Sequence, residues 1–199
     1  MIPPLTIKSD EARFHLALGG DWWAGIEAAD VAFLQHLWRI YPALRSVVEL
    51  GTSYGCTALL LGLLAKSRRG RLVTIDHKDV RPVPVQMAWL NNMTFVLGDL
   101  LENTAPMEQV VRGALNDTVN APWLLMSDGG DKIEELRIYS PLAHPGDVVL
   151  VHDFLPTYEA DTVNAERCAP YMDRPGWRRL EWDVAEAWGS YFRAWVRVA

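Results

Sequence analysis

Only two cysteines occur in 199 residues, Cys56 and Cys168, far apart and outside any Cys-x-x-Cys pair. That usage suits a reducing compartment, and a chain of this length needs neither a disulfide nor a zinc staple. Basic runs are missing too. Lys and Arg stop at pairs such as Arg68-Arg69, and 19 of them against 25 acids leave a net charge of −6. Neither a nucleic-acid footprint nor a polybasic membrane patch is expected from that balance. The longest apolar stretch, Thr57 to Ala65, covers about half of the roughly 18 residues that a membrane span requires. Met1 to His15 mixes Pro, Lys, Asp, Glu and Arg, with no signal-peptide apolar core, so a cytoplasmic protein is expected. Repeats, low-complexity segments and the G-x-S-x-G of a serine nucleophile are absent as well.

What remains is a globular composition, 50% hydrophobic and 22% charged. It rules out disorder, collagen and coiled coil. The length predicts one domain over 1–199, with a helical lead-in at 1–41 and a core at 42–199. Nine tryptophans read as filler for the core and for subunit contacts, which leaves a homo-oligomer open.

Along the chain, residues 1–20 form a loose lead-in ending at Gly19-Gly20, and Trp22–Tyr41 has helical spacing at Ile26, Ala29, Phe33, Leu37 and Ile40, with Asp21 as a cap. Then short β-rich runs alternate with helical patterns. Strands are predicted at Ser46–Leu50, Leu72–Ile75, Thr94–Leu97, Trp123–Ser127 and Val148–His152. Helices are predicted at Cys56–Lys66, Met107–Leu115 and Lys132–Leu142, with a proline-interrupted segment around Pro82 and Pro84. Crossovers of this length imply parallel pairing with helices on both faces. After Pro156 a helix at Tyr158–Met172 leads to Trp177–Val184 and Tyr191–Val198, read as an antiparallel pair at the sheet edge. The expected fold is a Rossmann-like, seven-stranded α/β sheet.

The sharpest motif is Glu49-Leu50-Gly51-Thr52-Ser53-Tyr54-Gly55, where the first strand meets a helix. Gly51 allows a tight turn and Gly55 a close approach. The helix start favours an anionic group such as a carboxylate. The spacing matches neither G-x-G-x-x-G nor a phosphate-binding loop. About 20 residues on, Asp76 ends the second strand, where a carboxylate can accept hydrogen bonds from ribose hydroxyls. Together these point to a nucleoside-type ligand.

Glu49 to Gly55 followed by Asp76 resembles the S-adenosylmethionine site of class I methyltransferases, in the branch with catechol-type O-methyltransferases. The resemblance implies a cofactor-binding set of Glu49, Gly51, Thr52, Ser53, Tyr54, Gly55, Asp76, Asp99 and Asp128. In it, residues 51–55 face the methionine part, Asp76 holds the ribose and Gly98-Asp99 lies at the adenine.

Two further strands end in acids, at Asp128 and at His152-Asp153. On adjacent strands these three share the rim of the glycine loop, which suits a hard-cation site. The same residues also read as a helix cap (Asp128) and the opening of a polar loop. Trp23-x-Gly25, Val47–Thr52, Asp128, Glu134-Glu135-Leu136, Tyr139–Leu142, Pro145–Asp147 and His152-Asp153 are similar to the cephalosporin hydroxylase/rhamnosyl O-methyltransferase family. That resemblance implies a magnesium site at Asp128, His152 and Asp153. His152 stands where the family has a carboxylate, and Asp131 where a His is common. Imidazole suits manganese, iron or zinc better than magnesium.

Methyl transfer needs an aligned acceptor hydroxyl that loses its proton. Lys132 and His152 are the candidate catalytic residues. Trp22, Trp23, Tyr54 and Trp89 are read as an aromatic lid over a small-molecule acceptor (sugar, natural product or phenol), while His15, His36 and His144 read as structural. The leading reading is a metal-assisted O-methyltransferase using S-adenosylmethionine. Others are a metal-independent enzyme with His152 as base, an oxidoreductase of similar topology, and a non-catalytic partner protein of the same fold.

Overall fold

The computed structural model describes residues 27–102, 104–116, 121–155 and 163–198. The lead-in, the Asp21 cap, His15, Trp22, Trp23, Gly25, Ile26 and 156–162 lie outside the described residues.

Seven strands form one sheet: β1 (Ser46–Leu50), β2 (Leu72–Asp76), β3 (Met93–Leu97), β4 (Trp123–Ser127), β5 (Val148–Val151), β6 (Trp177–Leu180) and β7 (Arg193–Arg197). Their order is β3-β2-β1-β4-β5-β7-β6. The first five run parallel, and β7 is antiparallel to both of its neighbours. The helices are α1 (Ala28–Ile40), α2 (Cys56–Ser67), α3 (Val83–Met87), α4 (Thr104–Asn116), α5 (Lys132–Tyr139), α6 (Ala165–Met172) and α7 (Trp182–Trp188), with a 3-10 turn at Ser140–Leu142.

The central strands β1, β4 and β5 are buried on both faces because helices cover both. Val47, Leu124, Leu150 and Ala194 pack with Phe33, Leu37 and Leu61 of α1 and α2 on one side. Val48, Leu125, Val149 and Trp195 pack with Val111, Leu136 and Met172 on the other. Adjacent residues therefore feed opposite layers, as the two-residue strand period requires. Burying a Leu or Val in either layer contributes roughly 1.5–3 kcal/mol.

Three expectations are corrected. Among the described residues the helix read over Trp22–Tyr41 begins at Ala28 with Glu27 as its N-cap, and Asp30 serves its start, its Oδ2 accepting from Glu27 N at 3.0 Å. Trp177–Val184 is not one strand, because it breaks after Leu180 and Trp182–Trp188 coils into α7. Alanine and glutamate favour that helix, and Gly189 ends it at φ +71°. Third, Trp89, read as part of an aromatic lid, packs against the core layer of α1 and α2 and against Arg81. The Arg81 guanidinium lies 4.3 Å from its ring and 4.1 Å from that of Phe95, held by Asp79 at 2.7 Å. This clamp orders the proline-interrupted segment between β2 and β3.

Candidate functional site

Backbone hydrogen bonds continue past the strand ends and set the rim. Gly51 N donates to Ile75 O, Asp128 N to Leu50 O, and His152 N to Ser127 O. The loops after β1, β2, β4 and β5 thus stand side by side at the carboxyl edge, where open parallel sheets bind ligands. A cleft of about 390 Å³ opens there, lined by Gly51, Ser53, Asp76, Asp99, Asp128 and Glu135 among others.

The glycine loop has left-handed backbone at Gly51 (φ +92°), Ser53 (φ +47°) and Gly55 (φ +82°). A Cβ on Gly51 would lie 2.5 Å from the carbonyl oxygen of Asp128. The glycine therefore allows the β1 and β4 loops to touch, which is a packing reason as well as a ligand reason. At Gly55 the close neighbours are Val85 and Arg81, not open cleft. Asp76 pins the loop: its Oδ2 accepts from Thr52 N at 2.9 Å and Ser53 N at 2.8 Å. Its Oδ1 accepts from Lys78 N at 3.1 Å and lies 3.0 Å from His77 Nδ1.

Other predicted binding residues sit elsewhere. Glu49 is fully buried and receives the Thr74 hydroxyl at 2.5 Å. Burial pushes its carboxyl well above the usual range, and it supports the loop from beneath without reaching the cleft. Thr52 is buried, its hydroxyl 2.5 Å from that of Thr74. Tyr54 is exposed and, like Gly55, does not line the cleft. Asp99 does line it, and accepts from Leu101 N and Glu102 N.

The β4 and β5 ends meet as expected. One donor atom each from Asp128, His152 and Asp153 falls within 4.8 Å of the others. His152 Nδ1 lies 3.0 Å from Asp128 Oδ1 and 3.3 Å from Asp153 Oδ1. Lys132, nearly buried, places Nζ 2.9 Å from Asp153 Oδ2 and donates to Gly129 O at 3.0 Å. Asp153 itself takes left-handed backbone at φ +53°, which turns its carboxylate back onto the cluster. Burial alone would lower the His152 pKa, but hydrogen bonds to Asp128 and Asp30 outweigh it and push it up to about 10. The surrounding carboxylates thus favour the protonated imidazole, which works against the expected role of His152 as general base. For Asp128 burial wins over the His152 bond, and its carboxyl is raised.

Sequence reasoning missed two residues. Asp30 of α1 stands fully buried behind His152. Its signal is an acid on the apolar face, at 30 before 33, 34 and 37. Glu135 of α5 forms the floor of the cleft, accepting from Ser127 Oγ at 2.7 Å and Gly129 N at 3.3 Å. Burial pushes its carboxyl up to about 7. Its signal is the position one helical turn after Lys132, on the same face.

No protein-family model matches the chain, and no curated protein sequence matches it. Solved structures do. Cofactor-bound Rv0187 from MTB is 20% identical with a TM-score of 0.62, over 94% of this chain and 88% of that one. The O-methyltransferase from Bacillus cereus in complex with SAH is 16% identical with a TM-score of 0.62, over 99% and 93%. The O-methyltransferase TomG from Streptomyces achromogenes, involved in tomaymycin synthesis and in complex with SAM, is 17% identical with a TM-score of 0.61, over 100% and 92%. At these identities what is shared is the fold: the Rossmann-like sheet with its antiparallel carboxyl-terminal edge.

Proposed function

We propose that this protein is an S-adenosylmethionine-dependent O-methyltransferase acting on a small hydroxylated acceptor, with a divalent cation at Asp128, His152 and Asp153. The observation that carries the reading is the double position of Asp128. It lines the glycine-loop cleft and belongs to the rim cluster, so a ligand in one adjoins a ligand on the other. The O-methyltransferases from Bacillus cereus and Streptomyces achromogenes, solved with SAH and SAM, support the cofactor class.

The residues fit both groups. Asp76 and its pinned loop provide a rigid wall, and Asp99 and Glu135 add acceptors along the cleft. When bound, S-adenosylmethionine would supply a methyl group already activated on a sulfonium. Donor spacings of 3.0 and 3.3 Å around His152 Nδ1 suit adjacent ligands on a first-row cation with bonds of about 2.1 Å, and a cation bound there would take the place of the Nδ1 proton. Mixed imidazole and carboxylate donors favour manganese, iron or zinc over magnesium. Such a cation would lower the pKa of an acceptor hydroxyl. Lys132, fixed by Gly129 O and Asp153, supplies a positive charge beside a developing alkoxide.

One observation favours a second reading without a cation. Protonated His152 and the Lys132 ammonium already neutralise much of the charge of Asp30, Asp128 and Asp153. Transfer of labelled methyl from S-adenosylmethionine to a panel of sugars, phenols and alcohols, with and without a chelator, tests both. The cation reading expects activity lost on chelation and restored by Mn²⁺ or Mg²⁺, with Asp153→Ala inactive yet binding S-adenosylmethionine within a few-fold of the parent. It also expects His152→Asp to stay active and shift preference toward Mg²⁺. Full activity after exhaustive chelation, with His152→Asp inactive, selects the second reading.

A further inference from the structure

Asp30 carries an arrangement that the proposed chemistry leaves unused. Its Oδ1 accepts from the Ser190 hydroxyl and from Tyr191 N, both at 2.8 Å. Its Oδ2 accepts from Glu27 N at 3.0 Å and faces His152 Nε2 at 3.5 Å. A carboxylate with no solvent exposure needs donors on every side. Burial alone would raise its pKa, but these bonds hold it below the ordinary value. His152 is buried too, its ring centroid 4.5 Å from that of Phe192, so the ring cannot turn without repacking. The two nitrogens thus face two different carboxylate groups: Asp30 on the interior side, Asp128 and Asp153 on the rim side.

We propose that Asp30 is the positioning residue of the rim cluster: it takes the Nε2–H of His152 and so turns Nδ1 toward Asp128 and Asp153. Asp30 lines no part of the cleft and acts through the imidazole. A carboxylate behind a histidine fixes its ring orientation and which nitrogen faces outward. The same carboxylate joins α1 to the turn before β7, through Ser190 and Tyr191, so the seating of both elements sets the ring's direction. The proposal rests on the function above only for the task that the rim performs; the placement of the ring is a separate claim.

Proton-detected ¹⁵N NMR of the His152 ring, assigned with His152→Gln, tests it on the full chain near neutral pH. The parent is expected to show an Nε2–H protected from solvent exchange. In Asp30→Asn that proton should exchange at least tenfold faster, with turnover down roughly 10- to 100-fold and S-adenosylmethionine affinity within a few-fold. Ser190→Ala removes one bond to the same carboxylate but leaves Oδ2 in place, and it should keep the Nε2–H protected. A purely structural Asp30 makes Ser190→Ala and Asp30→Asn alike in the ring signals, and that result overturns the proposal. So does an unprotected Nε2–H in the parent, which needs no variant to fold. If the ring responds as expected but no acceptor is ever methylated, the functional reading fails while the placement of His152 stands.

Discussion

Single carboxyl groups in this protein have tasks set by their surroundings. Glu135 is buried on the cleft floor and its pKa is raised to about 7. A raised carboxyl pKa means that folding favours the protonated form, so stability from this group is full below about pH 4.5 and is lost as pH rises through about 7. The loss approaches about 3 kcal/mol, from 1.36 kcal/mol per pKa unit. Glu135→Gln cannot ionise, and its urea midpoint relative to the parent should therefore rise between pH 5 and pH 8; a constant difference contradicts the assignment. Asp76 has a different task, accepting from the backbone N–H groups of Thr52, Ser53 and Lys78. Asp76→Ala is expected to weaken S-adenosylmethionine binding about 100-fold in titration calorimetry, for a loss of about 3 kcal/mol. Asp76, Asp128, His152 and Asp153 were legible in the sequence because each lies at a strand end or within two residues after it, and strand ends are where a parallel sheet presents polar groups. Asp30 and Glu135 lie inside helices, 122 and 8 positions from the partners His152 and Ser127, and only tertiary folding shows what they face.

Among elements, the five parallel strands were readable from their β-rich runs, and Ser46–Leu50 and Trp123–Ser127 end where expected. The β6–α7–β7 region was not. Trp177–Val184 is rich in bulky apolar residues, and such a run reads as strand whether or not the chain coils midway. Positive φ at Glu181 and Gly189 delimits α7, and neither is visible as periodicity. Two glycines separate the costs of backbone and space. Gly189 has φ +71°, and a Cβ added there would meet no atom within 4 Å, so Gly189→Ala should cost about 1–2 kcal/mol. Gly51 adds contact with the Asp128 backbone, and Gly51→Ala should cost roughly 2–5 kcal/mol. Thermal denaturation of the two variants should rank them in that order. Equal midpoints would mean that the β1 and β4 loops do not meet as described.

At the scale of the whole molecule, the strand order brings residues more than 70 positions apart to one rim. Because β1 lies between β2 and β4, the glycine loop is flanked by Asp76 on one side and Asp128 on the other. Because β5 follows β4, His152 and Asp153 adjoin the cleft. No helix among the described residues is long and apolar enough to cross a membrane. Which cation the proposed rim site would take was not legible, since donor types select a class of cation and a rim of three donors accepts several. The central claim is that the cleft between these loops is an S-adenosylmethionine site. Isothermal titration of the parent protein measures this most directly. One saturable site is expected for S-adenosylmethionine, displaced by S-adenosylhomocysteine and insensitive to chelator. No binding of either compound at millimolar concentration, by a protein whose fold is intact, would contradict the account.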